Sequence, residues 1–151
     1  MMSKSEYERA RDYAVRYLGY AQRTRKQLRD KMVAKEFSDE AIEAVVQLLT
    51  EKGYLNDVAF ARNYINSKTQ YNNYGRRRIV VGLLQKGIGK EDIQAAYGED
   101  DNADEIEAAK RALAKRVAKK GSDDRQKLMA FLMRRGFSYD VVKRAMESLE
   151  G

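Results

Sequence analysis

The sequence predicts an all-α fold: three tandem three-helix repeats packed end to end into an elongated curved rod. Three observations lead there. Apolar residues recur at i, i+3, i+4 and i+7 almost throughout, and no segment alternates polar and apolar for long enough to make a strand. The 151 residues contain no Pro, so nothing forces a break in a helical backbone. The chain also lays over itself. Leu28/Met32/Phe37/Ile42 matches Ile79/Leu83/Ile88/Ile93 after a step of 51 residues, and Leu128/Leu132/Phe137/Val142 after a further 49. A unit of this size buries little apolar surface alone, so neighbouring units are expected to stack. A single globular bundle that keeps the repeat as a trace of duplication is the alternative.

The first repeat, residues 1–53, reads as helices 5–20, 24–35 and 39–52. Their apolar stripes are Tyr13/Ala14/Tyr17/Leu18, Leu28/Met32 and Ile42/Val45/Val46/Leu49, and Ser38 ahead of Asp39-Glu40 is the cap of the third. The second repeat, residues 54–103, reads as helices 57–70, 75–86 and 90–97, opened by Asn56-Asp57. The third, residues 104–151, takes helices 101–119, 123–135 and 139–149, with Ser122 ahead of Asp123-Asp124 as a start signal. The first helices share a register at Tyr13/Ala14, Tyr64/Ile65 and Leu113/Ala114. At the turn after each middle helix, Gly87 and Gly136 supply a residue that readily takes positive φ. Glu36 fills that slot in the first repeat, so its turn is expected to differ.

Composition excludes several chemistries. Without Cys there is no disulfide, thiolate nucleophile or sulfur ligand; without His, zinc sites and Ser-His catalysis are disfavoured. The first residues carry no apolar signal core, and the longest apolar run, Ile79 to Leu84, is far too short to span a bilayer. A soluble, cytoplasmic protein with no membrane association is expected. Gly82 to Gly87 has the glycine spacing of a phosphate-binding loop, but Ile88 stands where Lys and then Ser or Thr are required. The acidic run from Asp100 to Glu105 could hold Mg²⁺, yet it opens a long helix, where carboxylates complement the dipole. The reading is a non-enzymatic protein with no metal and no cofactor.

Charge is more telling. Lys and Arg number 30 against 23 Asp and Glu, a net +7. Bases favour the middle helices, with Arg25, Lys26, Arg29, Lys31 and Lys35, then Arg76, Arg77, Arg78 and Lys86, then Arg125, Lys127, Arg134 and Arg135; Lys110, Arg111, Lys115, Arg116, Lys119 and Lys120 add to them from the long helix before the last group. Such residues are either solvated surface or a track for phosphates, whose contacts add as counterions are released. Tyr71 and Tyr74, flanking Asn72-Asn73 just before Arg76 to Arg78, set two rings beside three guanidinium groups, a pairing suited to unpaired bases. Helix-turn-helix readout of duplex is disfavoured, because the candidate recognition helices open with Asp39-Glu40 and Glu91-Asp92.

Three motifs in this order carry a resemblance. They are Leu55-Asn56-Asp57-x2-Phe60-Ala61-x2-Tyr64, then Gly75-x2-Arg78-Ile79-x3-Leu83-x2-Lys86-Gly87-Ile88, and Phe131-Leu132-x-Arg134-Arg135-Gly136-Phe137-Ser138-Tyr139; Arg25-Lys26-Gln27-Leu28-x3-Met32 is a weaker match. The chain resembles the RecX recombination regulators over nearly its whole length. It departs at Asn56, where the family usually has Asp, at Gly82, where it commonly has Glu, and at Glu36. Glycine inside a helix costs about 1 kcal/mol relative to Ala, so Gly82 either loosens the middle helix or lets another backbone approach. The resemblance implies a monomeric, non-catalytic regulator that lodges in the groove of the RecA–single-stranded-DNA filament, with duplex DNA bound non-specifically if at all. There it is expected to block extension or favour disassembly, and to inhibit strand exchange and ATP hydrolysis. Candidate contacts to DNA or recombinase are Arg76, Arg77, Arg78, Lys86, Lys115, Arg116, Lys119, Arg134, Arg135, Tyr71 and Tyr74. Composition and spacing leave two other readings open: a DNA binder acting without the recombinase, and a helical adaptor that binds only protein.

Overall fold

A computed structural model describes residues 4–99, 101–121 and 124–150. All regular structure among them is helical: α1 (Glu6–Tyr20), α2 (Arg25–Ala34), α3 (Asp39–Glu51), α4 (Asp57–Gln70), α5 (Arg76–Gln85), α6 (Lys90–Tyr97), α7 (Ala103–Lys120), α8 (Arg125–Arg134) and α9 (Tyr139–Glu150). Several starts have a local chemical cause. The Ser38 hydroxyl accepts the Ala41 N–H, and the Asn56 side chain accepts that of Ala59, as their positions predict. Thr24 and Gln27 form a capping box, each side chain accepting the other's backbone N–H. The start expected at Ser122 and Asp123 lies outside the described residues; Asp124 caps α8 by accepting the Gln126 N–H at 2.8 Å. The long helix begins at Ala103 rather than at 101, because Asn102 turns left-handed (φ 67°) just before it.

The turn after each middle helix is the same in all three repeats. Glu36, Gly87 and Gly136 have φ of 65°, 86° and 98°, and their N–H groups donate to Val33, Leu84 and Met133 at 2.9, 3.0 and 3.0 Å. The expectation that the Glu36 turn differs is therefore corrected: the glutamate takes the strained left-handed conformation itself. The shared register of the first helices also needs correction. Ala14 is buried and Tyr13 half-buried in α1, whereas Leu113 is buried and Ala114 exposed in α7, so the core positions are offset by one residue.

The repeating apolar positions are the core. Leu28, Met32 and Ile42 bury against Ala10, Ala14, Val45, Leu49 and Leu55, which joins α1, α2 and α3. Leu128, Leu132, Phe137 and Val142 bury against Ala109, Leu113 and Met146, which joins α7, α8 and α9. Ile79, Leu83, Ile88 and Ile93 are buried as well. Each such side chain contributes roughly 1.5–3 kcal/mol relative to exposure.

By packing, the chain divides into two units: Met1–Ala61 with Leu84–Ala96, and Arg62–Leu83 with Tyr97–Gly151. Each holds one joint between successive repeats. In the first, the Thr24 hydroxyl donates to the Lys86 carbonyl at 2.9 Å, and the Arg25 N–H to Asp57 at 3.0 Å. In the second, Gly75 N–H donates to the Arg135 carbonyl at 2.8 Å, Arg77 N–H to the Gly136 carbonyl at 3.1 Å, and Arg76 N–H to Glu105 at 2.7 Å. Thr24 and Gly75 are equivalent in the repeat, as are Lys86 and Arg135. In both joints a carboxylate from the following repeat satisfies a free N–H at the start of the preceding middle helix. Gly87 and Gly136 lie at these joints: a Cβ on Gly87 would collide with the Lys26 side chain, and one on Gly136 would lie 2.6 Å from the backbone N of Arg78. Gly82 has a different partner. Its missing Cβ admits the Tyr64 hydroxyl, so a side chain, not another backbone, makes the close approach.

Candidate nucleic-acid interface

Three cations of α2 are tied to carboxylates, whereas Lys31 lies over the Tyr17 ring. Arg25 bridges Asp57 (3.3 Å) and Asp92 (3.1 Å), Lys26 pairs with Asp30 at 2.7 Å, and Arg29 grips both oxygens of Glu43 at 2.8 and 3.1 Å. Lys86 is half-buried in the same unit, its carbonyl held by Thr24.

The second unit is arranged otherwise. The guanidinium carbon of Arg76 lies 3.9 Å from the Tyr97 ring centroid and that of Arg78 lies 3.8 Å from Tyr74. Arg135 lies 5.2 Å from Tyr74 and 5.7 Å from Phe131, and Arg116 lies 4.8 Å from Phe131. Arg78, Tyr74, Arg135, Phe131 and Arg116 thus form a ladder of alternating guanidinium and ring. Arg135 is its fixed rung: Nε donates to the Asn73 carbonyl at 3.1 Å and a terminal nitrogen to the Asn72 carbonyl. Burial pulls its pKa below the ordinary guanidinium value; nearby Tyr74 opposes that pull and Arg78 adds to it. The group stays charged at neutral pH. Arg111 locks the same loop by donating to the Asn73 side chain (2.8 Å) and to the Thr69 carbonyl (3.0 Å). Asn73 is buried with φ 54°.

Beside the ladder lies a cleft of about 320 Å³ lined by Lys115, Arg116, Lys119 and Lys120 of α7, by Phe131 and Arg135, and by Ala112, Asn72 and Asn73. Among the described residues no carboxylate lines it. Helical spacing explains the grouping, since 115/119 and 116/120 are pairs four apart on α7. Lys115, Lys119 and Lys120 are exposed and pair with no carboxylate among the described residues. The structure therefore brings four of the predicted contacts together (Lys115, Arg116, Lys119 and Arg135), while Arg77 and Arg134 are exposed outside the cleft. Tyr71 is 80% exposed, whereas Tyr74 is occupied by two guanidinium groups. Lys120 and Arg111, which belong to this region, are absent from the predicted contacts; Lys120 was legible as the i+4 neighbour of Arg116. The Gly82 to Gly87 stretch lies on α5 and its following turn rather than in a loop after a strand. Among the described residues no acidic cluster could hold a metal ion, and no helix is long and apolar enough to cross a membrane.

Comparison with known proteins agrees with this architecture. Three family models match in order: "RecX, first three-helix domain" over residues 10–49, "RecX, second three-helix domain" over 56–96 and "RecX, third three-helix domain" over 103–146. A regulatory protein RecX of Prosthecochloris aestuarii is 33% identical over 150 residues, covering 98% of both chains. One of Finegoldia magna is 35% identical over 95% of this chain and 73% of its own. The crystal structure of RecX from Lactobacillus salivarius superposes with a TM-score of 0.89 at 23% identity, covering 96% of this chain and 97% of the other, which is a likeness of fold. A second crystal structure, of a regulatory protein RecX, gives 0.85 at 25% identity over 94% of this chain and 73% of that one.

Proposed function

Because the chain belongs to the RecX family of regulatory proteins, we propose that it is a negative regulator of the RecA recombinase. It binds in the groove of the RecA–single-stranded-DNA filament, blocks extension or promotes disassembly, and so inhibits strand exchange and ATP hydrolysis without catalysis of its own. The observation that carries this reading is the match of all three domains in order, with a relative named as a regulator aligned over 98% of the chain. The cation-rich unit supports it physically, since a partner built on polyphosphate calls for several positive groups with no competing acid. The working units are the repeats 1–53, 54–103 and 104–151, and weak contacts from more than one of them would add as avidity. The contacts are drawn from Arg77, Arg134, Lys86 and the cleft residues; Arg76, Arg78, Arg135 and Tyr74 hold the fold of their unit as well.

The test is RecA's DNA-dependent ATPase and strand exchange with substoichiometric protein added. Inhibition of both is expected. Unchanged rates reject the reading and leave the DNA binder that acts without the recombinase, a reading favoured by the exposed lysines of α7.

A further inference from the structure

We infer that a groove at the start of α5 is a protein-docking subsite, which takes an apolar side chain and an adjacent carboxylate presented by a RecA protomer. The inference rests on the filament reading and deepens it, by assigning Arg77 to protein contact rather than to phosphate. The groove has a volume of about 470 Å³ and lies within one packing unit. Arg77, Val80 and Val81 of α5 face Glu105 of α7, with Gly136 and Ser138 of the turn before α9.

The repeat supplies an internal comparison. Residues 26, 29 and 30 of α2 correspond to 77, 80 and 81 of α5 by the step of 51 residues. In α2 all three positions are charged and matched: Lys26 pairs with Asp30 one turn away at 2.7 Å, and Arg29 with Glu43 at 2.8 Å. In α5 the cation is kept as Arg77, but Val81 stands in place of Asp30 and Val80 in place of Arg29. The acid one turn from the cation is thus exchanged for apolar surface. Val81 is 54% exposed, and the exposed Arg77 pairs with no carboxylate among the described residues. The joint between repeats does not call for the exchange, since it is made through the backbone: the N–H groups of Gly75 and Arg77 donate to the Arg135 and Gly136 carbonyls.

A partner that fits supplies what the helix lacks, an apolar group for the valines and a carboxylate for Arg77. Apolar contact at the centre with charge at the rim is the ordinary make-up of a protein interface, in which the rim charge sets orientation. Nucleic acid fits this groove less well. Valine offers no flat face to a base, and a phosphate run gains from several cations in a row. Here Arg76 and Arg78 lie against the Tyr97 and Tyr74 rings, which leaves Arg77 as the presented cation of the three.

The experiment measures binding to RecA assembled on oligothymidylate with a non-hydrolysable ATP analogue and, in parallel, to bare oligothymidylate. The proteins are the full chain, Val81→Asp, Val81→Met, Arg77→Gln and a control, Ala130→Asp, which adds the same charge at the equivalent exposed position of α8. Circular dichroism checks helicity. Val81→Asp recreates in α5 the pairing of α2, so the helix is kept and the cation is satisfied from within. It should weaken filament binding at least about ten-fold, and Arg77→Gln several-fold, with bare-strand affinity within about two-fold of the full chain for both. Val81→Met and Ala130→Asp should bind the filament as the full chain does. Undiminished filament binding by Val81→Asp, or an equal loss in Ala130→Asp, overturns the inference. A loss for Arg77→Gln as large on the bare strand as on the filament also overturns it, and assigns Arg77 to nucleic acid. Should Val81→Asp lose helicity, Arg77→Gln decides by the same comparison. The filament reading fails separately, when the full chain neither binds the filament nor slows RecA's ATPase; the inference falls with it, whereas failure at the groove alone leaves that reading standing.

Discussion

Glu36 and Gly136 occupy one backbone conformation at opposite cost. A side chain in the left-handed region costs roughly 1–2 kcal/mol, so Glu36→Gly should stabilise the protein by about 1 kcal/mol. Gly136→Ala should destabilise it by at least about 2 kcal/mol, because its Cβ meets Arg78 backbone as well as an unfavourable φ of 98°. Urea unfolding of the two variants checks both signs. This pair also marks a limit of reading from sequence. Glycine at 87 and 136 is legible as a turn former, but glutamate in the same φ is not, since propensity alone argues against it. The turn forms at Glu36 because the flanking pair, buried Met32 with half-buried Phe37 and a 3.2 Å hydrogen bond from the Phe37 N–H to the Met32 carbonyl, fixes the chain on both sides.

Between elements, polar side chains act as fasteners at helix starts. Thr24 is fully buried, caps α2 and donates to the Lys86 carbonyl, so Thr24→Ala should cost about 2 kcal/mol, read as a lowered urea midpoint at unchanged m-value. Glu6 of α1 accepts the Ser38 hydroxyl at 2.6 Å and its N–H at 2.9 Å, tying the start of α1 to that of α3. These donors lower the Glu6 pKa, the hydroxyl bond most and the N–H next. A depressed carboxylate stabilises the fold above its unfolded value, about 4.3, and that contribution is lost as pH falls through the lower folded value. The Tm difference between the parent and Glu6→Gln should therefore be full at neutral pH and vanish in acid; a difference independent of pH rejects the link. Caps such as Ser38 and Asn56 were legible because the donor lies three residues away. The Thr24–Lys86 and Gly75–Arg135 bonds were not, because they join residues about sixty apart through backbone carbonyls, which no residue type advertises.

For the whole molecule, the two joints sit in different packing units and share no partner, so their losses should add. The double variant Thr24→Ala/Gly136→Ala should lose the sum of the single values within about 0.5 kcal/mol, measured by chemical unfolding; a larger departure shows coupling between the units. The repeat, the helices and most of the core were visible in the sequence, because periodicity and self-similarity are local signals. The candidate interface was visible as named bases and tyrosines, not as the cleft that brings four of them together. Part of what the sequence hides is which cations fold onto distant carboxylates: Arg25 meets Asp57 and Asp92 and Arg29 meets Glu43, while Lys115, Lys119 and Lys120 pair with no carboxylate among the described residues.

The glutamate at the first turn has a further consequence. Each later module is seated against its predecessor at a glycine whose bare Cα leaves room for Lys26 or Arg78. Glu36 carries a side chain where that room is needed, so a module grafted ahead of it by the same joint would meet an obstruction. Lengthening the array by duplication is therefore open in the interior and barred at the first position until that glutamate is replaced by glycine.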